Sequence, residues 1–449
     1  MAEKLNVAVI GGGYAGMAAA TELAAQDVPV TVFESAKQPG GRARGVEYND
    51  IQLDNGQHLL LGCYRETLRL IERVGGDIET DFLRLPLQLD LHRHLELRAP
   101  RLPSPFHLLA ALFQAHGLGW AQRIKAARFM LTLRRANFHL NRLPLPPGDG
   151  GGGGTRDITV SKLLTLNGQD ADLTLKLWEP LTLAALNTPI HKASAQVLLN
   201  VLRDALNRKR ADSDMLLPRL DLGALFPQRA AEYVARHGGT VRLSCAVESV
   251  VVHPEGFELS TAQGRQHFSQ VICAVAPGAA ARLLCPLPGM DATAQQIAAL
   301  EQQPIYTVYL QYPAHVTLPH PMIGLHRRCS QWLFDKGRIA GQNGLLAAVI
   351  SAEGIHQQLA QEELAQRVIS ELREEFAIVQ MPHWFKVIAE KRATFCCAPN
   401  LQRPPSQTPF PGLWLAGDYV AGDYPATLEG AVISGVAAAR LAQDRSGRM

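Results

Sequence analysis

The sequence predicts an α/β protein of Rossmann type with a second, α+β domain interleaved along the chain, and three observations predict it. An apolar run, residues 5–10, passes straight into Gly11-Gly12-Gly13-Tyr14-Ala15-Gly16 and then into alanine-rich text with helical spacing. A second apolar run, residues 28–33, ends in Glu34, eighteen residues beyond Gly16. Far downstream, Leu413-Trp414-Leu415-Ala416 breaks into Gly417-Asp418, and a small-residue helix begins within residues 425–431.

Each of these elements has a local reason. Strand, glycines, helix, strand and acid stand in the register of a dinucleotide-binding βαβ unit. Gly11 permits the tight turn, Gly13 lets backbone approach a pyrophosphate, and Gly16 lets the helix pack on the strand. The start of the helix, at Tyr14 and Ala15, offers unpaired N–H groups and a positive dipole end to phosphates. Glu34 can accept from both ribose hydroxyls, so an adenosine diphosphate half is expected there. Pro39-Gly40-Gly41-Arg42 follows the second strand. Asp418, at the carboxyl end of a buried strand, suits a ribityl hydroxyl. The helix start near Leu428, Glu429 and Ala431 suits a second phosphate or the pyrimidine edge of a flavin.

With those motifs at both ends, the chain resembles the flavin-containing amine oxidase and phytoene desaturase superfamily. The resemblance implies FAD as cofactor, held in a glutathione-reductase-like domain. It places Gly11, Gly13, Tyr14, Ala15, Gly16, Glu34, Gly41, Arg42, Gly56, Gln57, Val247, Gly417, Asp418, Leu428, Glu429 and Ala431 around it, with the Val247 backbone facing the adenine. Residues 53–64, 383–395 and 400–404 are similar to the narrower family of hydroxysqualene dehydroxylases of bacterial hopanoid pathways. That similarity spans essentially the whole chain; only the glycine run 150–154 fits nothing in it and reads as an inserted surface loop.

Composition agrees with a two-domain enzyme. At 449 residues the chain exceeds a single core. A hydrophobic fraction of 47% with 19% charged residues describes a soluble globular protein. A net charge of +3 is too small to argue for nucleic acid. Seven cysteines without a CxxC suggest neither a disulfide framework nor a metal site, and a cytoplasmic setting fits. The FAD-binding domain is expected to be discontinuous, in residues 1–84, 229–285 and 391–449. The substrate domain takes 85–228 and 286–390, the first of these mostly helical. Asn49-Asp50 reads as a hairpin turn, and residues 238–275 as a β-meander returning to the main sheet.

Between Glu96 and Asp149 there are eight Lys or Arg and no acid, interleaved with apolar and aromatic residues. Arg123, Arg128, Arg134 and Arg135 fall beside apolar positions at roughly helical spacing. Two readings stand open: a membrane-facing amphipathic surface, on the inner face of the cytoplasmic membrane, or a substrate-domain helix with a solvated basic face.

The reaction implied by the narrower resemblance takes an allylic alcohol on a C30 polyprenyl lipid to squalene, with hydride from reduced flavin. Contact with other squalene-pathway enzymes would follow. An oxidative polyprene desaturase is the alternative, and a non-catalytic prenyl-binding protein a more remote one. A hydroxide leaving group needs an acid, and the developing cation needs a dry, apolar tunnel. His58 is the candidate proton donor; the other reading has it only hydrogen-bonding flavin or backbone. His383 and Lys386 are further candidates, with Trp384 and Phe385 as tunnel wall or core. Trp414, Tyr419 and Tyr424 are expected to pack near the flavin.

Overall fold

A computed structural model describes residues 5–144 and 157–444, so the glycine run lies outside the described residues. Its centre is a parallel five-stranded sheet in the order Thr240–Arg242, Val30–Phe33, Val7–Ile10, Gln270–Cys273, Leu413–Leu415. Val7–Ile10 and Gln270–Cys273 are buried throughout, which is why their sequences do not alternate. The first helix, Tyr14–Ala24, is buried on nearly every side. Small residues make this possible: a Cβ at Gly435, on the C-terminal helix Leu428–Asp444, would lie 2.1 Å from the carbonyl oxygen of Ala15. The backbones of these two helices therefore almost touch.

The hairpin forms as expected, with Asn49 and Asp50 both at positive φ (50° and 58°) between Gly45–Tyr48 and Ile51–Asp54. That is the mirror-image turn that matches strand twist. The meander differs from expectation. Only its outer strands join the main sheet, while Val247–His253, Gly256–Thr261 and Gly264–Phe268 form a separate antiparallel sheet.

A second, seven-stranded sheet runs Trp384–Phe395, Gln302–Gln311, Leu345–Ser351, Trp332–Asp335, Met322–Gly324, Gln88–Leu91, Leu95–Arg98. Its residues alternate between two destinations. Leu333, Leu346, Ala348 and Ile350 pack with Leu364, Val368 and Leu372 of helix Gln361–Phe376, while Trp332, Phe334 and Val349 line a cavity on the other side. Residues 85–228 are mostly helical, as expected, with the strands Gln88–Leu91, Leu95–Arg98 and Met215–Pro218 among the helices; the alternating leucines at 89, 91, 95 and 97 are the signal for the first two. The domain boundary at 391 falls inside the strand Trp384–Phe395.

The helix crossing yields a prediction. Gly435→Val forces its side chain into the Ala15 carbonyl, and overpacking of this kind costs about 1–3 kcal/mol. The variant should unfold at a lower temperature than wild type in a calorimetric scan; an unchanged midpoint would refute the close approach.

Candidate active site

The turn after the first strand is built around backbone groups. Gly11 has φ +106°, and a Cβ there would meet the Ala274 carbonyl oxygen at 2.7 Å. The Gly12 N–H donates to Glu34 Oε2 (2.6 Å), and the Ala36 N–H donates to Oε1 (2.8 Å). Glu34 is thereby held in place, 7% exposed, with lone pairs left over toward the cavity it lines. No side chain caps the first helix, so its leading N–H groups are available. A Cβ at Gly13 would meet nothing nearer than Gly41 Cα at 4.0 Å: the space belongs to the cavity. Gly16 does not line it. Its Cβ would lie 1.9 Å from the Gly11 carbonyl oxygen, which is the packing role the spacing implied.

The second glycine turn closes on the first. Gly40 N–H donates to Gly12 O (2.8 Å), and Arg42 reaches onward from there. Its Nη2 bonds Asp418 Oδ1 (2.7 Å) and its Nη1 bonds Ala393 O (2.6 Å). Burial disfavours the guanidinium charge, but Asp418 and the neighbouring Glu390 outweigh it, so the Arg42 pKa lies above its ordinary value. About a third of the Arg42 side chain (32%) stays exposed, and Arg42 lines the cavity. Tyr419, next to Asp418, is buried and lines the cavity with a hydroxyl that has no partner.

Residues 55–58 run along the same cavity. Gln57 Oε1 accepts from Lys336 Nζ (3.3 Å), and Lys336 lies 3.8 Å from Asp54 Oδ2. Lys336 and Asp54 are 4% and 3% exposed. Burial pushes the Asp54 carboxyl up to about 6 despite the opposing lysine. Sequence reasoning missed Lys336, whose one local signal is its place in the charged pair Asp335-Lys336 that follows the apolar Trp332-Leu333-Phe334.

His58 does not suit the donor role. Its Nδ1 lies 2.6 Å from Gly56 O, an acceptor, so Nδ1 carries the proton. Burial, with Arg42 adding to it, lowers the ring's pKa. A neutral imidazole held this way leaves Nε2 as an acceptor rather than a proton source. Two further expectations are corrected. Glu429 turns away from the cavity and accepts from the Glu66 N–H, the Thr67 N–H and Thr67 Oγ1, capping helix Arg65–Arg73. Leu428 and Ala431, three residues apart on one helix face, do line the cavity, and Glu429 falls on another face. His383 and Lys386 line a separate groove beside Tyr48, over whose ring Lys386 Nζ sits at 4.8 Å, while Trp384 and Phe385 line the same groove and pack against the core, the second of their two expected places. Of the three aromatics, Tyr419 and Tyr424 line the cavity, while Trp414 donates its Nε1–H to Gln270 Oε1.

The cavity measures about 850 Å³. One end is walled by Gly11, Gly13, Tyr14, Ala15, Glu34, Gly41, Arg42 and Val247, and Gly56, Gln57, His58, Gly417, Asp418, Leu428 and Ala431 continue it. It then opens into a chamber of Leu89, Leu97, Leu112, Met130, Trp178, Leu202, Trp332 and Phe334. Helices Phe106–Gln114 and Trp120–Arg135 supply Leu112 and Met130 from their inner faces. FAD fits the first part on three counts: the free space over Gly13, the uncapped helix start and the unpartnered Tyr419 hydroxyl. No cluster of metal-ligating side chains exists among the described residues.

Comparisons with known proteins agree with this geometry. The family model described as flavin containing amine oxidoreductase matches residues 202–442, and the NAD(P)-binding Rossmann-like domain matches residues 9–74. A hydroxysqualene dehydroxylase of Sinorhizobium fredii is 28% identical, over 97% of this chain and 98% of its own length. A zeta-carotene desaturase of Zea mays is 25% identical, over 96% of this chain and 82% of its own. Among solved structures, cyclohexylamine oxidase from Brevibacterium oxydans aligns with a TM-score of 0.68 and 17% identity, covering 98% and 99% of the two chains.

Three variants test the site. Gly13→Val fills the space above the loop and should abolish flavin binding, so a variant purified with stoichiometric flavin would refute the placement. Glu34→Ala should weaken FAD by about 1.5–3 kcal/mol per charged hydrogen bond lost, read by titration of the apoprotein. Arg42→Gln leaves Asp418 buried without its cation. The unfolding midpoint should fall, at the lower end of the about 3–5 kcal/mol range for broken buried pairs because Arg42 is partly exposed.

Proposed function

The chain belongs to the flavin-containing amine oxidoreductases, and from that premise we propose that it reduces hydroxysqualene to squalene by reductive dehydroxylation. It is an oxidoreductase, and its cofactor is FAD. The observation that carries the proposal is the continuity of one cavity from the dinucleotide loop to an apolar chamber. Such a chamber suits a long hydrocarbon and not a charged amine. The hydroxysqualene dehydroxylase relatives, aligned over nearly the full length of both chains, support the same substrate. Reduced FAD supplies the hydride pair when bound. The chain's own part is to position it: residues 11–15 and Glu34 hold the adenosine diphosphate half, and Asp418 with Leu428 and Ala431 the flavin half. The apolar walls keep water from the carbon that loses its hydroxyl.

A C30 hydrocarbon does not travel through water, and the outer surface supports delivery from a bilayer. Phe106, Phe113, Trp120, Ile124 and Leu131 are exposed, at 61, 40, 66, 41 and 48%. They lie on the two helices whose inner faces line the cavity. The arginine row is weaker than the sequence reading had it. Arg128 and Arg135 are exposed, but Arg123 turns back to donate to Leu118 O and Phe113 O, and Arg134 is half-buried. No helix among the described residues is long and apolar enough to cross a membrane. The proposal is therefore peripheral docking on the inner face of the cytoplasmic membrane, through an apolar patch flanked by cations.

Anaerobic incubation of the reduced holoenzyme with hydroxysqualene should yield squalene. Oxidised enzyme that instead adds a double bond to a polyprene, with no squalene formed in the first assay, would favour the desaturase reading. Phe106→Ser with Trp120→Ser should lower co-sedimentation with anionic liposomes, each side chain contributing up to about 1.5–3 kcal/mol. Arg128→Gln and Arg135→Gln should remove about 1 kcal/mol each. Equal sedimentation of all variants would refute the docking face.

A further inference from the structure

We propose that Glu390 is the acid that protonates the departing hydroxyl, an inference that rests on the reductive reading above. Four carboxylates line the cavity among the described residues: Glu34, Asp204, Glu390 and Asp418. Three are committed. Glu34 is bound by backbone N–H groups at the adenosine end, Asp418 is paired with Arg42, and Asp204 is held by Arg203 and the Tyr424 hydroxyl. Glu390 has no ion pair. Its partners are the Asn55 amide (3.4 Å) and the Arg392 N–H (3.2 Å), both neutral donors.

Glu390 is the last regularly paired residue before a bulge. Pairing runs from Gln303↔Thr394 to Ile305↔Glu390, so four steps on the edge strand oppose two on its neighbour. The extra residues re-aim side chains. Glu390, Ala393 and Thr394 all line the cavity, although a regular pleat would send 393 and 394 to opposite faces. The Ala393 carbonyl is the one that Arg42 grips. Glu390 is thus fastened where the flavin-binding turn meets the apolar chamber.

Of the charged and titratable groups around it, Arg42 is hydrogen-bonded to Asp418 and Ala393 O and interacts with Glu390 only through space, His58 is a neutral acceptor, and Arg392 approaches through its backbone. In the reaction the Glu390 proton passes to the allylic oxygen, the C–O bond breaks and water leaves. Bound, reduced FAD would supply the hydride pair to that carbon and be oxidised by two electrons, and the carboxylate regains a proton from solvent.

The test compares Glu390→Gln with Glu390→Asp and His58→Ala in the anaerobic hydroxysqualene assay. Glu390→Gln should keep stoichiometric FAD, be reduced by dithionite as wild type is, and still perturb the flavin absorption band when hydroxysqualene is added to the oxidised protein. Its kcat should fall by about 10²–10⁴-fold, the range of a general acid. Wild-type kcat should decline at alkaline pH as the acid is lost; Glu390→Gln should lack that limb, while Glu390→Asp and His58→Ala should keep it. Turnover of Glu390→Gln within about tenfold of wild type, loss of FAD from it, or loss of the limb in His58→Ala would each overturn the assignment. Wild type that makes no squalene would instead overturn the reductive reading, and this inference with it.

Discussion

The guanidinium of Arg42 joins three parts of the chain that are otherwise far apart in sequence. It lies in the glycine turn after the second strand, grips Asp418 of the C-terminal turn, and holds the Ala393 carbonyl in the bulge of the second sheet. Five donors in a planar fork allow this, where the point charge of a lysine could not. Because Asp418 is buried, the contact is expensive to leave half-made. The geometry of the whole cavity follows from it: the five-stranded sheet supplies one end, the seven-stranded sheet the other, and Arg42 sits at the junction.

Around that junction the polar groups are almost all satisfied. Asp54 and Lys336 oppose one another in the interior, and both anchor the segment that presents Gln57 and His58. A buried pair of this kind contributes little net stability, since desolvation offsets the attraction. Its effect is positional. Leu222 N–H and Lys336 fix Asp54 and Gln57 from behind, so the cavity-facing backbone has little freedom to move.

The chamber shows a different division of labour. Helices Phe106–Gln114 and Trp120–Arg135 are apolar on two faces, one turned to the cavity and one to the outside. For a solvated domain the outer face would be a liability. Under the proposed docking, the same two helices would form both wall and landing surface.

What the sequence determined by itself is whatever depends on contiguous backbone. The turn at Gly11, the phosphate-facing helix start, the Glu34 carboxylate and the positive-φ hairpin at Asn49 and Asp50 are local constraints, and each stands where the residues indicate. What needed tertiary structure is the direction in which side chains face. Glu429 sits in the expected helix yet caps Arg65–Arg73, because helical rotation separates it from Leu428 and Ala431. Lys386 and Glu390 lie on the same pleat of one strand, opposite Tyr309 and Ile305, but only Glu390 reaches the cavity, since Lys386 sits a further four residues along the strand, over the Tyr48 ring. His58 lies where the motif implied, and only its contact with Gly56 O and its burial show a neutral acceptor. Local sequence encodes dihedral angles and helix ends; strand register, burial and protonation depend on neighbours hundreds of residues away.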